Sequence, residues 1–455
     1  MPMSFFPSRG EVESLGEWLL DAARSTGVAE ADLIYSTGES HSLELRDGEP
    51  EDQSSGVSQG IGLRTLDGQG RQGVAYANAL DRRTLLDLVQ WSWNNCRRGE
   101  PREGIALGRP EAPGGEPLPL EDPSMGGLTP QERTQRCLRM TEAAREADPR
   151  VVSVRGASWH DGWGESFYAS TAGHASWERG TFAGCSAAVV LQEGDQVEMG
   201  GFGEQSRRLA DLQEVSIARK AVDRTRCVLG GEPVPTGTYT LILDPEVAAS
   251  LVDEVGDLFC VSNVHKNRSL MKGQLGHPVA SPAVFLEDQG RIPWGIGSSL
   301  LDGEGVPTGR TVLVEGGVAR GFLYNLEYAR RDGVSSTGNA CRSLSSLPDV
   351  GTTNLVLLPG TDSPKTLLRG VSRGVYVTEL LGLHTLDPVS GEFSLGVKGW
   401  AIGGGEPRGP VGGVTMAGNL VDFLQRIVAV GNDLTFFGSV GACTVVVDHV
   451  AVAGS

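Results

Sequence analysis

Residues 238–262 constrain the fold of this chain more than any other stretch. Thr238, Tyr239, Thr240, Leu241, Ile242 and Leu243 form a short β-branched and apolar run that reads as a buried strand. Asp244-Pro245 follows at once, with Asp as the N-cap and Pro at the first helical position, so strand passes straight into helix. Along that helix Val247, Leu251, Val255 and Leu258 recur at spacings of three and four and make the buried stripe, while Asp253, Glu254 and Asp257 fall together on another face. With all three ionised, the i,i+4 pair Asp253/Asp257 costs about 0.2–0.5 kcal/mol, which a solvated face tolerates and a metal or basic partner offsets. A zinc-binding helix would have this layout with His where Asp stands.

At 455 residues the chain exceeds what one core serves, and two or three domains are expected. Its 57 acidic against 39 basic residues give a formal charge of −18, which repels nucleic-acid phosphates and anionic lipid, so no direct nucleic-acid ligand and no membrane contact are expected. No apolar run reaches the roughly 20 residues that cross a bilayer, and the N-terminus carries Glu11, Glu13 and Glu17 in place of a signal core, which suits the cytoplasm. The seven cysteines are odd in number, spread out and never in a C-x-x-C pair, so buried free thiols are expected in place of disulfides or a zinc ribbon.

The fold class expected is α+β. Helical spacing over 11–26, strand-like runs at 31–36, 42–46, 58–66 and 73–76 with Asp-Gly turns at 47–48 and 67–68, and a helix over 81–96 make a first α+β domain, 1–100. A Pro- and Gly-rich linker, 101–128, leads to a central α+β region, 129–232. There a capped helix runs from Thr129 to Ala147, strands follow at 151–159, 165–171, 176–191 and 196–202, and a helix covers 209–229. The rest, 233–455, is Gly-rich, with helices expected only over 245–263 and 419–430 and many short strands suggesting a barrel-like or sandwich-like β domain.

Several generic motifs fall away. The G-x-S-x-G matches at 56–60 and 370–374 each precede a strand, whereas a nucleophile elbow needs a strand before and a helix after. His265 and His277 share one segment but lie too far apart in a loop for good zinc spacing.

In the C-terminal half, Asp302-Gly303-Glu304-Gly305, Gly338-Asn339-Ala340-Cys341-Arg342, Gly374-Val375-Tyr376-Val377-Thr378-Glu379-Leu380, Gly391-Glu392-Phe393-Ser394, Gly418-Asn419 and Gly431-Asn432-Asp433 occur in an order that resembles the TldD/PmbA family, in its PmbA (TldE) branch. Gly62-Leu63-Arg64 followed by Gly73-Val74-Ala75 resembles that family's first domain. The resemblance implies a cytoplasmic partner of a TldD-type subunit in a proteolytic heterodimer acting on flexible peptides such as antitoxins or peptide precursors, in a family also labelled modulator of DNA gyrase. It implies that zinc sits in the TldD-type partner, where two histidines flank a glutamate on the helix matching 245–263. Here Asp253, Glu254 and Asp257 occupy those positions, only Glu254 survives, and no cofactor is expected on this chain. Cys443 is read as packing.

Read as chemistry alone, Asp302 and Glu304 on a Gly-flanked loop offer acid–base or cation-binding groups, or else a solvated turn. Arg342 offers a bidentate grip on a peptide carboxylate, or an ion pair with Glu379. Arg342, Glu379, Asp302 and Glu304 are therefore the substrate-binding candidates, and Arg342 and Glu379 are expected beside one cavity. Three function classes stay open: a non-catalytic protease subunit, a stand-alone hydrolase using the three carboxylates of residues 253–257 with Mg²⁺ or Mn²⁺, and a regulatory protein meeting a topoisomerase through protein contact. Related subunits of one fold pair with approximate two-fold symmetry, so a homodimer is expected when the chain is alone.

Overall fold

The computed structural model describes residues 6–112 and 114–454. Helix α1 (Arg9–Ser25) begins at Ser8, whose side chain and Glu11 satisfy each other's backbone N–H groups, and it buries Val12, Leu19, Leu20 and Ala23. Strands β1 (Glu30–Arg46) and β2 (Glu49–Leu66) meet at Asp47-Gly48, both with positive φ, as the Asp-Gly pair requires. β3 (Gln72–Ala77), α2 (Arg82–Arg98), α3 (Pro130–Ala147), β4 (Val151–Ser170), β5 (Ala175–Glu193), β6 (Gln196–Ser206) and α4 (Glu214–Val228) follow. The strands form one antiparallel sheet in the order β3-β2-β1-β4-β5-β6, an open half-barrel running through both α+β regions.

β4 is one strand of 20 residues where two were expected. The glycines at its centre are not turn residues: a Cβ on Gly162 would run into the Glu39 carbonyl of β1 and the Phe182 ring of β5, so the absent side chain lets strands approach. α4 starts five residues later than expected, because the Leu209 N–H is held by Asp122 and residues 209–211 close a 3-10 turn. The stretch read as linker is pinned to its neighbours: Arg330 donates to the carbonyls of Gly104, Ala106 and Leu107 at 2.9, 2.6 and 2.6 Å, and Thr181 N–H donates to Leu120 at 2.9 Å.

The C-terminal region begins with β7 (Gly237–Leu243), which passes directly into α5 (Pro245–Leu258). The order continues through α6 (Val261–His265), β8 (Leu286–Gln289), β9 (Arg310–Glu315), β10 (Val318–Ala319), α7 (Leu326–Asp332), β11 (Ala340–Cys341), β12 (Asp349–Val350) and β13 (Leu355–Leu357). It ends with α8 (Pro364–Arg369), β14 (Arg373–Leu381), β15 (Glu392–Gly403), β16 (Glu406–Asn419), α9 (Leu420–Gln425), β17 (Ile427–Val430), β18 (Thr435–Phe437), β19 (Val440–Ala442) and β20 (Val445–Ala453). Strands β16-β15-β14-β7-β20 close on themselves through a β16–β20 pairing, giving a five-stranded barrel with β17 attached to β20. A second sheet runs β10-β9-β8-β13-β19-β18. The expected β domain is thus a barrel, and the apolar stripe of α5 shares one core with Leu241, Leu243, Val375 and Val447 of its wall.

Two expected helices are shorter than their periodicity suggests. The 245–263 helix stops at Leu258 because Cys260 is extended and bridges to Leu323, whose carbonyl takes the Val261 N–H. The 419–430 helix stops at Gln425 because the β-branched residues after Arg426 pair with β20.

Candidate functional site

α5 is aimed by its first turn. Asp244 accepts the Val247 N–H at 2.9 Å, and Arg224 of α4 ion-pairs with both Asp244 and Glu246 and donates to the Thr378 carbonyl of β14 at 2.5 Å. That carbonyl sits at a bulge between Val377 and Glu379, where β14 loses register with β15. A cavity of about 280 Å³ opens there, lined by Arg224, Glu246, Ser250, Thr378 and Glu379 among others. Farther along α5, Asp253 and Asp257 are exposed and Glu254 is half-buried. Desolvation raises the pKa of all three above the usual carboxylate range, and neighbouring carboxylates add to the rise at Glu254 and Asp257.

The other candidates do not join this patch. Arg342 is not the ion-pair partner of Glu379: its fully buried side chain donates from Nη1 to Asp32 Oδ1 at 2.7 Å, across the junction with β1. Glu379 is beside Lys398 at 3.7 Å, and Lys398 is closer to Glu198 of β6, at 2.9 Å. The two residues line different cavities, so the expectation of one shared cavity is corrected. Arg342 stands instead in a buried ionic cluster. Arg64 of β2 pairs with Asp32 at 2.5 Å and with Glu304 at 2.9 Å, and the Tyr168 hydroxyl reaches Asp32 at 3.2 Å. Burial alone would raise Asp32; Arg342 and Arg64 outweigh it and hold the carboxyl below its usual range. Nε and Nη2 of Arg342 are buried without a hydrogen-bond partner.

Glu304 is a buried tie as well, accepting the Leu326 N–H at 2.9 Å, so the solvated-turn reading does not hold for it. Asp302 receives the N–H groups of Glu304, Val306 and Ala340 at 2.9–3.0 Å and is still pushed up to about 7, first by desolvation and then by Glu304. With Arg342, Tyr168 and Glu178 it lines a cavity of about 450 Å³ between the half-barrel and the C-terminal region. Cys443 is fully buried, and burial pushes its thiol up to about 12, which keeps it from acting as a thiolate. His265 pairs with Asp332 at 2.9 Å and His277 is exposed.

Sequence reasoning passed over Asp32 and Arg224. Asp32 carried a signal: a single charge inside the apolar run 31–35, matched by Arg64 inside 61–66. Arg224 carried none, because on a helix it looks like any solvated arginine.

Comparison with known proteins decides the lineage. The model for the PmbA/TldA metallopeptidase C-terminal domain matches residues 236–454, the central-domain model matches 124–229 and the domain 1 model matches 31–96. The chain belongs to the PmbA/TldD metallopeptidase family. It is 26% identical to metalloprotease PmbA of Escherichia coli O157:H7, covering 96% of this chain and 94% of that one. It is 27% identical to a metalloprotease TldD homolog of Haemophilus influenzae, covering 93% and 90%. Identity therefore does not choose between the two branches. A crystal structure from Thermotoga maritima MSB8, named for modulation of a DNA gyrase, superposes with a TM-score of 0.89 at 27% identity over 97% of this chain and all of that one. TldE of Thermococcus kodakarensis shares the fold, with a TM-score of 0.88 at 22% identity over 97% and 100%.

A PmbA/TldD metallopeptidase implies zinc in the family, and the donor set on α5 does not fit that ion. Asp253, Glu254 and Asp257 offer only carboxylate oxygens, whereas catalytic zinc sites draw on imidazole or thiolate beside a carboxylate. Among the described residues, no group of three or more His, Cys, Asp or Glu is placed to hold a metal.

Proposed function

We propose that this chain is the subunit without its own metal site in a TldD/TldE-type zinc metalloprotease heterodimer, cytoplasmic, with zinc in the TldD-type partner and flexible peptides or unfolded proteins as substrates. Family membership supports the link to proteolysis. The observation that carries the reading is α5 itself: its first turn is anchored by Arg224 and its outer face is open, yet the positions that resemble the family's metal motif hold Asp253 and Asp257 where histidines would stand. In this role the chain supplies cavity wall and substrate contacts. Glu379, Asp302 and Arg342 remain the candidates for those contacts, Arg342 only if the junction opens, and Glu304 acts as a structural tie. The domain division 1–100, 129–232 and 233–455 belongs to the same proposal.

The test is to purify the chain alone and with a TldD-type subunit, then measure zinc content and cleavage of an unfolded peptide for each. The chain alone should carry no stoichiometric zinc, cleave nothing and form homodimers by light scattering. The mixed complex should cleave. One zinc per chain, or cleavage by the chain alone, would sink the proposal. The stand-alone carboxylate-metal reading finds no ligand group among the described residues, and no feature of the site favours the gyrase reading over a proteolytic one.

A further inference from the structure

Away from α5 and the buried junction, the long β1–β2 ribbon places three groups in a chemically ordered row. His41 of β1 and Ser55 of β2 are direct cross-strand partners, so their side chains leave the same face of the ribbon. His41 Nδ1 lies 2.9 Å from Ser55 Oγ. Glu39, two residues before His41 and on the same face, places Oε1 3.2 Å from His41 Nε2. A hydroxyl hydrogen-bonded to an imidazole, with a carboxylate at ion-pair distance from the other ring nitrogen, supplies the parts of an activated serine, whatever chain order provides them. All three border one cavity of about 280 Å³, whose wall also includes Leu43, Met125 and Trp163. Ser58 of the G-x-S-x-G run lies three residues beyond Ser55 in the same strand, and its carbonyl accepts from Thr37 Oγ1.

We propose that Glu39, His41 and Ser55 form a second site, an acyl-transfer centre that takes short-chain carboxylic esters. Ser55 Oγ bonds to the ester carbonyl carbon while its proton passes to His41 Nδ1; the Glu39 carboxylate, at ion-pair distance from Nε2, steadies the imidazolium by its charge. β3 pairs only with residues 61–66 of β2, which leaves the 49–60 segment as a free edge among the described residues. Backbone N–H groups of an antiparallel strand alternate between its two sides, so an N–H within one residue of Ser55 points to that free edge and can receive the oxyanion. The ester C–O bond then breaks, and the alcohol leaves with the proton from His41. Water repeats the sequence on the acyl-serine, releasing the carboxylic acid and restoring Ser55. No metal or oxidant enters the balance, and the site stands independently of the proteolytic reading.

The test treats the full-length chain with a fluorophosphonate probe and with p-nitrophenyl acetate, locating the label by peptide mass spectrometry. Variants Ser55→Ala, His41→Gln, Glu39→Gln and Ser58→Ala are run beside wild type, with thermal midpoints recorded to show that each is folded. The expected result is a label on Ser55 that Ser55→Ala abolishes, Ser58→Ala leaves unchanged, and His41→Gln slows about 100-fold or more, with ester hydrolysis falling in parallel. Glu39→Gln should slow labelling about tenfold. No label on Ser55 in folded wild type, or labelling that His41→Gln does not slow, would overturn the site; labelling unaffected by Glu39→Gln would remove Glu39 from it.

Discussion

Two clusters of charge in this protein are built in opposite ways. At the junction of the half-barrel with the C-terminal region, two carboxylates and two guanidiniums are buried together: Asp32 and Glu304 with Arg64 and Arg342. Along α5, three carboxylates share a face, all are raised in pKa, and among the described residues none has an arginine or lysine partner. The first cluster is balanced internally and ties residues 32 and 304 of the chain through Arg64. The second is left uncompensated on an open face, where only another molecule or solvent can meet it. A buried charge pair is weak evidence of net stability, yet breaking one is costly, so the two clusters should respond very differently to the loss of a single charge.

The largest effect should come from Arg64→Ala. It strips Glu304 of its cation and leaves Asp32 with Arg342 alone, both in the interior, at a cost of about 3–5 kcal/mol. Chemical denaturation compared with wild type checks this; a change below 1 kcal/mol would mean that the junction does not hold the regions together. Arg342→Ala should cost less, about 1–3 kcal/mol, because Asp32 keeps Arg64 and two unpartnered donors leave with the side chain. If the variant is stable and the mixed complex still cleaves peptide at the wild-type rate, Arg342 neither holds the junction nor grips substrate.

How much of this contrast was legible depends on how local each feature is. The passage from β7 into α5, and the three acidic residues sharing a face, follow from spacing within 20 residues and from one Asp-Pro pair. The resemblance that places the chain in its family rests on short motifs of the same local kind. Partners of Arg342 are another matter: Glu379 was the nearby choice in sequence, whereas Asp32 lies 310 residues away and is brought close only by the packing of the half-barrel against the C-terminal loops. A close approach of the same origin occurs beside it, where a Cβ on Gly62 of β2 would collide with the Leu344 backbone. The glycines of β4 misled in the opposite direction, since a residue that permits turns also permits strands to crowd, and sequence does not say which.

Asp302 sharpens the comparison through pH. In the folded protein it keeps its proton up to about pH 7, whereas its ordinary pKa is 3.8. Between those values the folded state binds more protons than the unfolded one, so this group's stabilising contribution is complete below pH 3.8 and is lost as pH rises through 7. Thermal midpoints taken from pH 4.5 to 8 should therefore fall on the alkaline side by more in wild type than in Asp302→Asn. That variant should also be less stable throughout, because its amide turns a donor toward one of the three N–H groups the carboxyl accepts. Parallel pH profiles for the two proteins would remove Asp302 from the account.

The smallest effect expected is on α5, and its sign carries the argument. Asp253 and Asp257 are one turn apart, and Asp257 is raised by desolvation and then by Asp253. Neutralising either with Asn removes a like-charge i,i+4 repulsion and should stabilise the isolated chain by about 0.2–0.5 kcal/mol. A structural role would give the reverse: were Asp253 or Asp257 engaged by a cation as Asp32 is, the same substitution would destabilise. Denaturation midpoints for Asp253→Asn and Asp257→Asn, measured at low salt so that screening does not hide the repulsion, decide between the two. A gain in stability of the free chain, together with weaker assembly or slower cleavage in the mixed complex, would show that this face is kept acidic for what docks on it. A loss of stability would mean that α5 already has a partner within its own chain, and the contrast between the two clusters would fail.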